Sequence, residues 1–221
     1  MSFFVVEGPN GSGKTTLINN LKKDGYNILF SPGSTRISNI LRPMCRGTEP
    51  YTDIDPRIQF MLFSASRYDE YLRLVHNKKE VIISDRWWTS TIVYQCVLQG
   101  FPVDFLEHTI HPQEQIDCVF LLDAADNILV DRVNKERLAN PKHGVCTWTQ
   151  NEETIKKISS IYRNELPEYL VKRNVRYVPI HTDKLNGDEV ADIIKQMINT
   201  INSASAPEWF APAGLDRAAS T

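Results

Sequence analysis

Gly8-Pro9-Asn10-Gly11-Ser12-Gly13-Lys14-Thr15 stands directly behind the apolar run Phe3–Glu7, and these eight residues hold the densest chemistry of the chain. Gly8, Gly11 and Gly13 free the backbone to turn successive N–H groups inward on a polyphosphate. The helix expected from Thr15 onward adds its positive N-terminal end. At this spacing Lys14 reaches the β- and γ-phosphates and the Thr15 hydroxyl holds Mg²⁺, while Asn10, Ser12 and Thr16 complete the contacts of the loop. Strand, loop and helix coincide, so the pattern predicts a nucleoside triphosphate site with ATP as the donor.

A second cluster follows the run Val81-Ile82-Ile83-Ser84. Asp85 and Arg86 come first, then Trp87, Trp88, Thr89, Ser90 and Thr91. A carboxylate at the tip of a buried strand beside a phosphate loop is placed to hold a metal ion's water, and Asp85 is a candidate metal ligand. Its neighbour Arg86 can clamp a phosphate with two parallel hydrogen bonds.

The elements that must position these groups are legible as short, near-continuous apolar runs. Phe3–Glu7, Asn27–Ser31, Val81–Ser84, Cys118–Leu122 and Arg176–Ile180 read as strands covered on both faces. Thr15–Lys23, Arg57–Val75, Ser90–Leu98, Ala125–Val133 and Glu152–Arg173 read as helices between them. In Arg57–Val75 the positions Ile58, Met61, Leu62, Ala65, Tyr68, Leu72 and Val75 recur at three- and four-residue steps, which predicts an amphipathic, core-facing stripe. Alternation of strand and helix gives an α/β chain. The expected architecture is the three-layer P-loop NTPase fold, a five-stranded parallel sheet with helices on both faces. Ligands in such sheets bind beyond the carboxyl ends of the strands, where the motifs fall.

Composition sets the outer bounds. The 221 residues suffice for one well-buried domain, expected over residues 1–201, with 202–221 as a flexible tail rich in Ala, Ser and Pro. Trp209 and Phe210 could anchor that tail to a groove or a neighbouring subunit. A net charge of −2 supplies no general basic field for nucleic acid. Cys45, Cys96, Cys118 and Cys146 lack metal-site spacing and read as reduced thiols. No apolar stretch approaches the ~20 residues of a membrane helix, and the first strand starts at once, leaving no room for a signal peptide. The expectation is a cytoplasmic protein.

Four blocks together resemble the thymidylate kinase family of nucleoside monophosphate kinases. They are Phe4–Thr15; Ser31-Pro-Gly-Ser-Thr35 with Arg42; Leu62-Phe63-Ser-Ala-Ser-Arg67; and Asp85-Arg-Trp-Trp-Thr-Ser90-Thr-Ile-Val-Tyr94-Gln95. The resemblance implies roles. Phe63 stacks on a pyrimidine, and Arg67, on the same helical face, hydrogen-bonds its O4. Arg42 and Arg86 hold the acceptor phosphate, Ser90 and Thr91 border the base, and Tyr94 excludes a 2′-hydroxyl. It also implies a mobile lid at about 132–147. There Arg132 and Arg137, with Lys135 as a weaker candidate, close over the phosphates, and Tyr162 on the next helix packs near the nucleotide. Family members pair through helices beside the sheet, so a homodimer is expected near Arg57–Val75 and Ser90–Leu98.

The chain departs from that pattern in three places. Asn10 replaces an aspartate that commonly contacts the sugar 3′-hydroxyl, Ser31 replaces a glutamate, and Trp87 stands where Tyr or His is usual. The leading expectation is transfer of the γ-phosphoryl of Mg·ATP directly to dTMP. A modified pyrimidine deoxynucleotide, as some viruses use, would suit the departures, and a nucleoside kinase is a further alternative. An NTP-driven switch or motor is the alternative of another class, though Asp85-Arg86 and the Phe63/Arg67 pair have no natural role in one.

Overall fold

The computed structural model describes residues 2–48, 50–76, 80–109, 115–139 and 151–203. Its strands are β1 (Ser2–Glu7), β2 (Asn27–Phe30), β3 (Val81–Asp85), β4 (Cys118–Asp123) and β5 (Tyr177–His181). They form one parallel sheet in the order β2-β3-β1-β4-β5, each within about a residue of its expected run. Strand β1 is central, and its side chains alternate between two cores. Phe3 and Val5 join the core with Trp87, Ile92, Ile158 and Leu166. Phe4 and Val6 join the other, with Leu17, Phe120, Ile194 and Ile198. Burial on both faces is why the strand reads as an unbroken apolar run.

The helices are α1 (Lys14–Lys23), α2 (Arg36–Cys45), α3 (Pro56–Glu70), α4 (Trp88–Thr91), α5 (Val103–Glu107), α6 (Asp126–Ala139), α7 (Glu152–Arg163), α8 (Glu165–Lys172) and α9 (Gly187–Asn202). Helices α1 and α9 pack on one face of the sheet, and α3, α7 and α8 contribute to the core on the other. Helix α3 passes into a π-helical turn at Tyr71–Val75, and α4 into a longer one at Ile92–Leu98.

Three sequence expectations are corrected. The single helix over Glu152–Arg173 is two, broken at Asn164, whose ψ of −70° leaves the helical track. Helices α2, α5 and α9 were not anticipated; α2 carries Pro43 inside it and exposes Ile37 and Ile40. Most tellingly, most of the expected stripe faces outward: Ile58, Met61, Ala65, Tyr68 and Leu72 are exposed, Leu62 is half-buried and Val75 alone is buried, while Phe60, Ser64, Arg67 and Glu70 point inward. The inner face of α3 is partly polar because it lines a cavity, so periodicity located the helix and misassigned its faces.

Of the four cysteines, Cys45, Cys96 and Cys118 are buried free thiols. Cys146, the expected lid beyond Ala139 and the tail with Trp209 and Phe210 lie outside the described residues. No described helix is long and apolar enough to cross a membrane.

Candidate active site

The loop between β1 and α1 packs too closely for side chains at Gly8 and Gly11. Gly8 has φ +148°, and a Cβ there would lie 2.1 Å from the carbonyl oxygen of Leu122. At Gly11 (φ +83°) the same atom would meet the carbonyl oxygen of Leu129 at 2.8 Å. Gly13, also at positive φ, is the N-cap of α1. Lys14 folds back over this loop, its Nζ donating to the carbonyls of Gly8 and Pro9 at 2.7 Å each. Burial, then the Arg86 guanidinium, lower its pKa from 10.5 to about 7. The Ser12 side chain is buried, whereas Thr15 and Thr16 lie exposed in the first turn of α1.

At the end of β3, Arg86 takes a left-handed backbone conformation (φ +69°), sparsely populated for a side-chain-bearing residue. That bend sends its guanidinium across to the loop. It donates to the Asn10 Oδ1 at 3.1 Å, the Tyr162 hydroxyl at 2.9 Å and the Ser90 Oγ at 3.2 Å. Beneath it lies Glu7, fully buried, which sequence reasoning missed. Its carboxylate accepts from Tyr162 Oη (2.8 Å), Thr89 Oγ (2.7 Å), Ser90 Oγ (2.8 Å), the Trp87 N–H (3.3 Å) and Arg86 (3.4 Å). A buried carboxylate is tolerable only when satisfied this fully. The signal was available, since Glu7 is the lone charge in the first apolar run.

A cavity of about 230 Å³ opens beside this network. Phe63 and Arg67 line it from α3, one helical turn apart as their spacing demanded; Arg42 comes from α2; Thr91 and Tyr94 close it from α4 and the π-helical segment. Asn10, Asp85, Arg86 and Ser90 face it from the loop side, so every residue expected to touch the acceptor meets in one cavity. The three departures from the family pattern, Asn10, Ser31 and Trp87, also line it, as do Gln95, the end of the fourth block, and Arg46, which the sequence did not single out. Arg67 is buried and donates to Thr91 Oγ at 3.3 Å. Tyr94 sits edge-on to Tyr162, ring centroids 6.4 Å apart, with Arg86 5.6 Å from its ring centre. Burial, then neighbouring Arg46, pull the Arg42 guanidinium below its ordinary value, against Asp85 and Glu70.

The three lid candidates differ. Arg132 bonds to the Gly11 carbonyl at 3.1 Å and to the hydroxyl and carbonyl of Thr182 at 3.0 Å, tying α6 to the loop and to the residue after β5. Arg137 is half-buried, and its Nε and one terminal nitrogen have no hydrogen-bond partner among the described residues. Lys135 pairs with Asp131 at 2.7 Å on the exposed side of α6.

A metal ion would find one exposed hydroxyl at Thr15 and one carboxylate at Asp85, close enough to Lys14 to raise its pKa. No cluster of three or more His, Cys, Asp or Glu gathers among the described residues. So sparse a donor set fits Mg²⁺, which keeps most of its waters and is bound together with substrate phosphates.

The sequence model of the thymidylate kinase family matches residues 6–170, from the end of β1 into α8. The chain belongs to the thymidylate kinase family. It is 32% identical over 151 residues to a probable thymidylate kinase of Sulfurisphaera tokodaii, covering 66% of this chain and 75% of that protein. Against a probable thymidylate kinase of Methanococcus aeolicus the identity is 27% over 205 residues, 89% of this chain and 96% of the relative. The match to a thymidylate kinase of an Exiguobacterium strain, 34% identical, spans only 48% of that protein. Thymidylate kinase membership makes the chain an ATP-dependent nucleoside monophosphate kinase. The switch or motor alternative falls away.

Proposed function

We propose that this protein transfers the γ-phosphoryl group of Mg·ATP to dTMP, giving dTDP. The observation that carries this is the single cavity in which Phe63, Arg67 and Tyr94 meet Arg42 and Arg86, directly against the phosphate loop. An apolar ring, a buried guanidinium and a tyrosine suit a pyrimidine deoxynucleoside, and two further arginines suit its phosphate.

The transfer is in line and needs no covalent intermediate, because the acceptor's phosphate oxygen is already a nucleophile. Arg42 and Arg86 hold that phosphate, with Arg86 fixed by Glu7 and Tyr162. Asn10 borders the sugar side, Phe63, Ser90 and Thr91 flank the base, Arg67 takes its O4 and Tyr94 fills the space of a 2′-hydroxyl. On the donor side, the N–H groups of residues 10–16 cradle the phosphates and Lys14 swings from its carbonyl partners onto them. Thr15 and Asp85 would hold Mg²⁺, whose charge neutralises the transferring oxygens when bound. Arg137, whose Nε and one terminal nitrogen are buried without a partner among the described residues, is the better lid candidate to meet the transferring group. Arg132 is proposed to act beside it through the loop it braces, and Lys135 contributes least.

Residues 1–201 are proposed as one catalytic domain working in the cytoplasm as a homodimer. The exposed stripe Ile58, Met61, Tyr68 and Leu72 supports pairing with a second copy through α3, since an apolar helical face of this length is normally covered. A second reading, a modified pyrimidine deoxynucleotide as acceptor, is supported by Asn10, Ser31 and Trp87 all lining the cavity. The test is product identification by ³¹P NMR after incubation with Mg·ATP and dTMP. Stoichiometric dTDP and ADP support the proposal; ADP and inorganic phosphate with no dTDP sink it.

A further inference from the structure

Ser31 stands where the family pattern places glutamate, yet a carboxylate is present at that point of the fold. It belongs to Glu70, the last residue of α3, and is completely buried. One of its oxygens accepts from the N–H groups of Gly33 and Ser34 at 2.8 and 3.0 Å; the other accepts from the Ser31 hydroxyl at 2.6 Å. The loop held in this way lines the cavity with Ser31 and Pro32, and the Pro32 carbonyl accepts from the Arg42 guanidinium. Glu70 also lies three residues beyond Arg67 and seven beyond Phe63, on the inner face of α3.

We infer that Glu70 is a positioning residue of the acceptor site, supplying from α3 the carboxylate that the family pattern carries in the loop, and that it fixes Arg42 by fixing residues 31–34. This deepens the acceptor assignment proposed above and rests on it. The physical case is the geometry of the three hydrogen bonds. A carboxylate gripping two consecutive N–H groups sets the path of the loop, and charge-assisted bonds of this kind are roughly twice as strong as neutral ones. Because Glu70 and the base-facing residues share one helix, base side and phosphate side of the acceptor are registered by a single rigid element. With glutamate at position 31 as well, two carboxylates would compete for one buried site, which is unfavourable unless one is protonated.

The test is a double-mutant cycle of Glu70→Gln and Ser31→Glu. It is read as KM for the acceptor and for ATP, with the acceptor being whichever monophosphate the unmutated protein turns over best. Glu70→Gln is expected to raise the acceptor KM about tenfold and leave the ATP KM within about twofold, the worth of a lost charged hydrogen bond. Ser31→Glu alone is expected to weaken the acceptor comparably. The double variant, with the carboxylate moved back into the loop, is expected to recover most of the loss. Additive losses in the double variant, or equal shifts of both KM values, overturn the inference. If Glu70→Gln does not fold, Ser31→Ala reads the same contact from the loop side, and an unchanged acceptor KM there overturns it too. A preferred acceptor other than dTMP contradicts the proposed substrate without disturbing this cycle. A protein inert toward every monophosphate overturns both.

Discussion

Lys14 is where the chemistry of the loop can be read in solution. Burial, then Arg86, lower its pKa from 10.5 to about 7, whereas contact with a polyphosphate must raise it again. Above pH 7 the protein therefore takes up a proton when it binds ATP, and affinity falls as pH rises from about 7 toward the ordinary lysine value. Without nucleotide the linkage runs the other way: between those pKa values the unfolded chain holds the proton that the folded one has lost, so this group's contribution to stability increases with pH. Calorimetry at pH 8 in two buffers of different ionisation enthalpy should give an uptake approaching one proton, absent in Lys14→Met; no uptake in the unmutated protein contradicts it. Arg86→Gln should lower turnover by about 10²–10³, the usual loss of one preorganised donor, with the circular dichroism unchanged. Among individual residues, those of the phosphate loop were legible because their types and spacing are dictated by phosphate, and the acceptor set only through the resemblance of its motif blocks to the family. Glu7 stood out only as a lone charge in an apolar run, and Glu70 not at all: their partners, Tyr162 and Ser31, are distant in sequence, and no local pattern names such contacts.

Element by element, strands were easier to locate than helices. A strand buried on both faces leaves an uninterrupted apolar run, whereas α2 carries an internal proline and exposes Ile37 and Ile40, which blurs its periodicity. Helix α3 is the instructive case. Its period was correct, but Ile58, Met61 and Leu72 of the apolar stripe are exposed, whereas Phe63 and Arg67 line the cavity and Glu70 is buried. Hydrophobic periodicity tells which positions share a face without telling which partner covers it. If a second copy covers the stripe, Met61→Glu should convert a dimer into a monomer by light scattering while leaving secondary structure intact. An unmutated protein that is monomeric at micromolar concentration contradicts that assignment.

For the whole molecule, the sheet is the rigid frame that brings the carboxyl ends of β1, β2 and β3 to one edge of the cavity. Phe120 lies in β4 with no exposure and stacks on Phe4, ring centroids 5.7 Å apart. Phe120→Ala should cost about 3–5 kcal/mol of unfolding free energy in urea titrations, since the surrounding sheet cannot collapse into the space. A loss below about 1 kcal/mol would contradict so tight a core. The central claim, phosphoryl transfer to a pyrimidine deoxynucleoside monophosphate, is tested most directly by coupled ADP release with Mg·ATP. The acceptor panel is dTMP, dUMP, 5-hydroxymethyl-dUMP, dCMP, dGMP, AMP, UMP and thymidine. The predicted result is fastest turnover with dTMP, with UMP and thymidine poor. Steady ATP hydrolysis with no turnover of any monophosphate would contradict it.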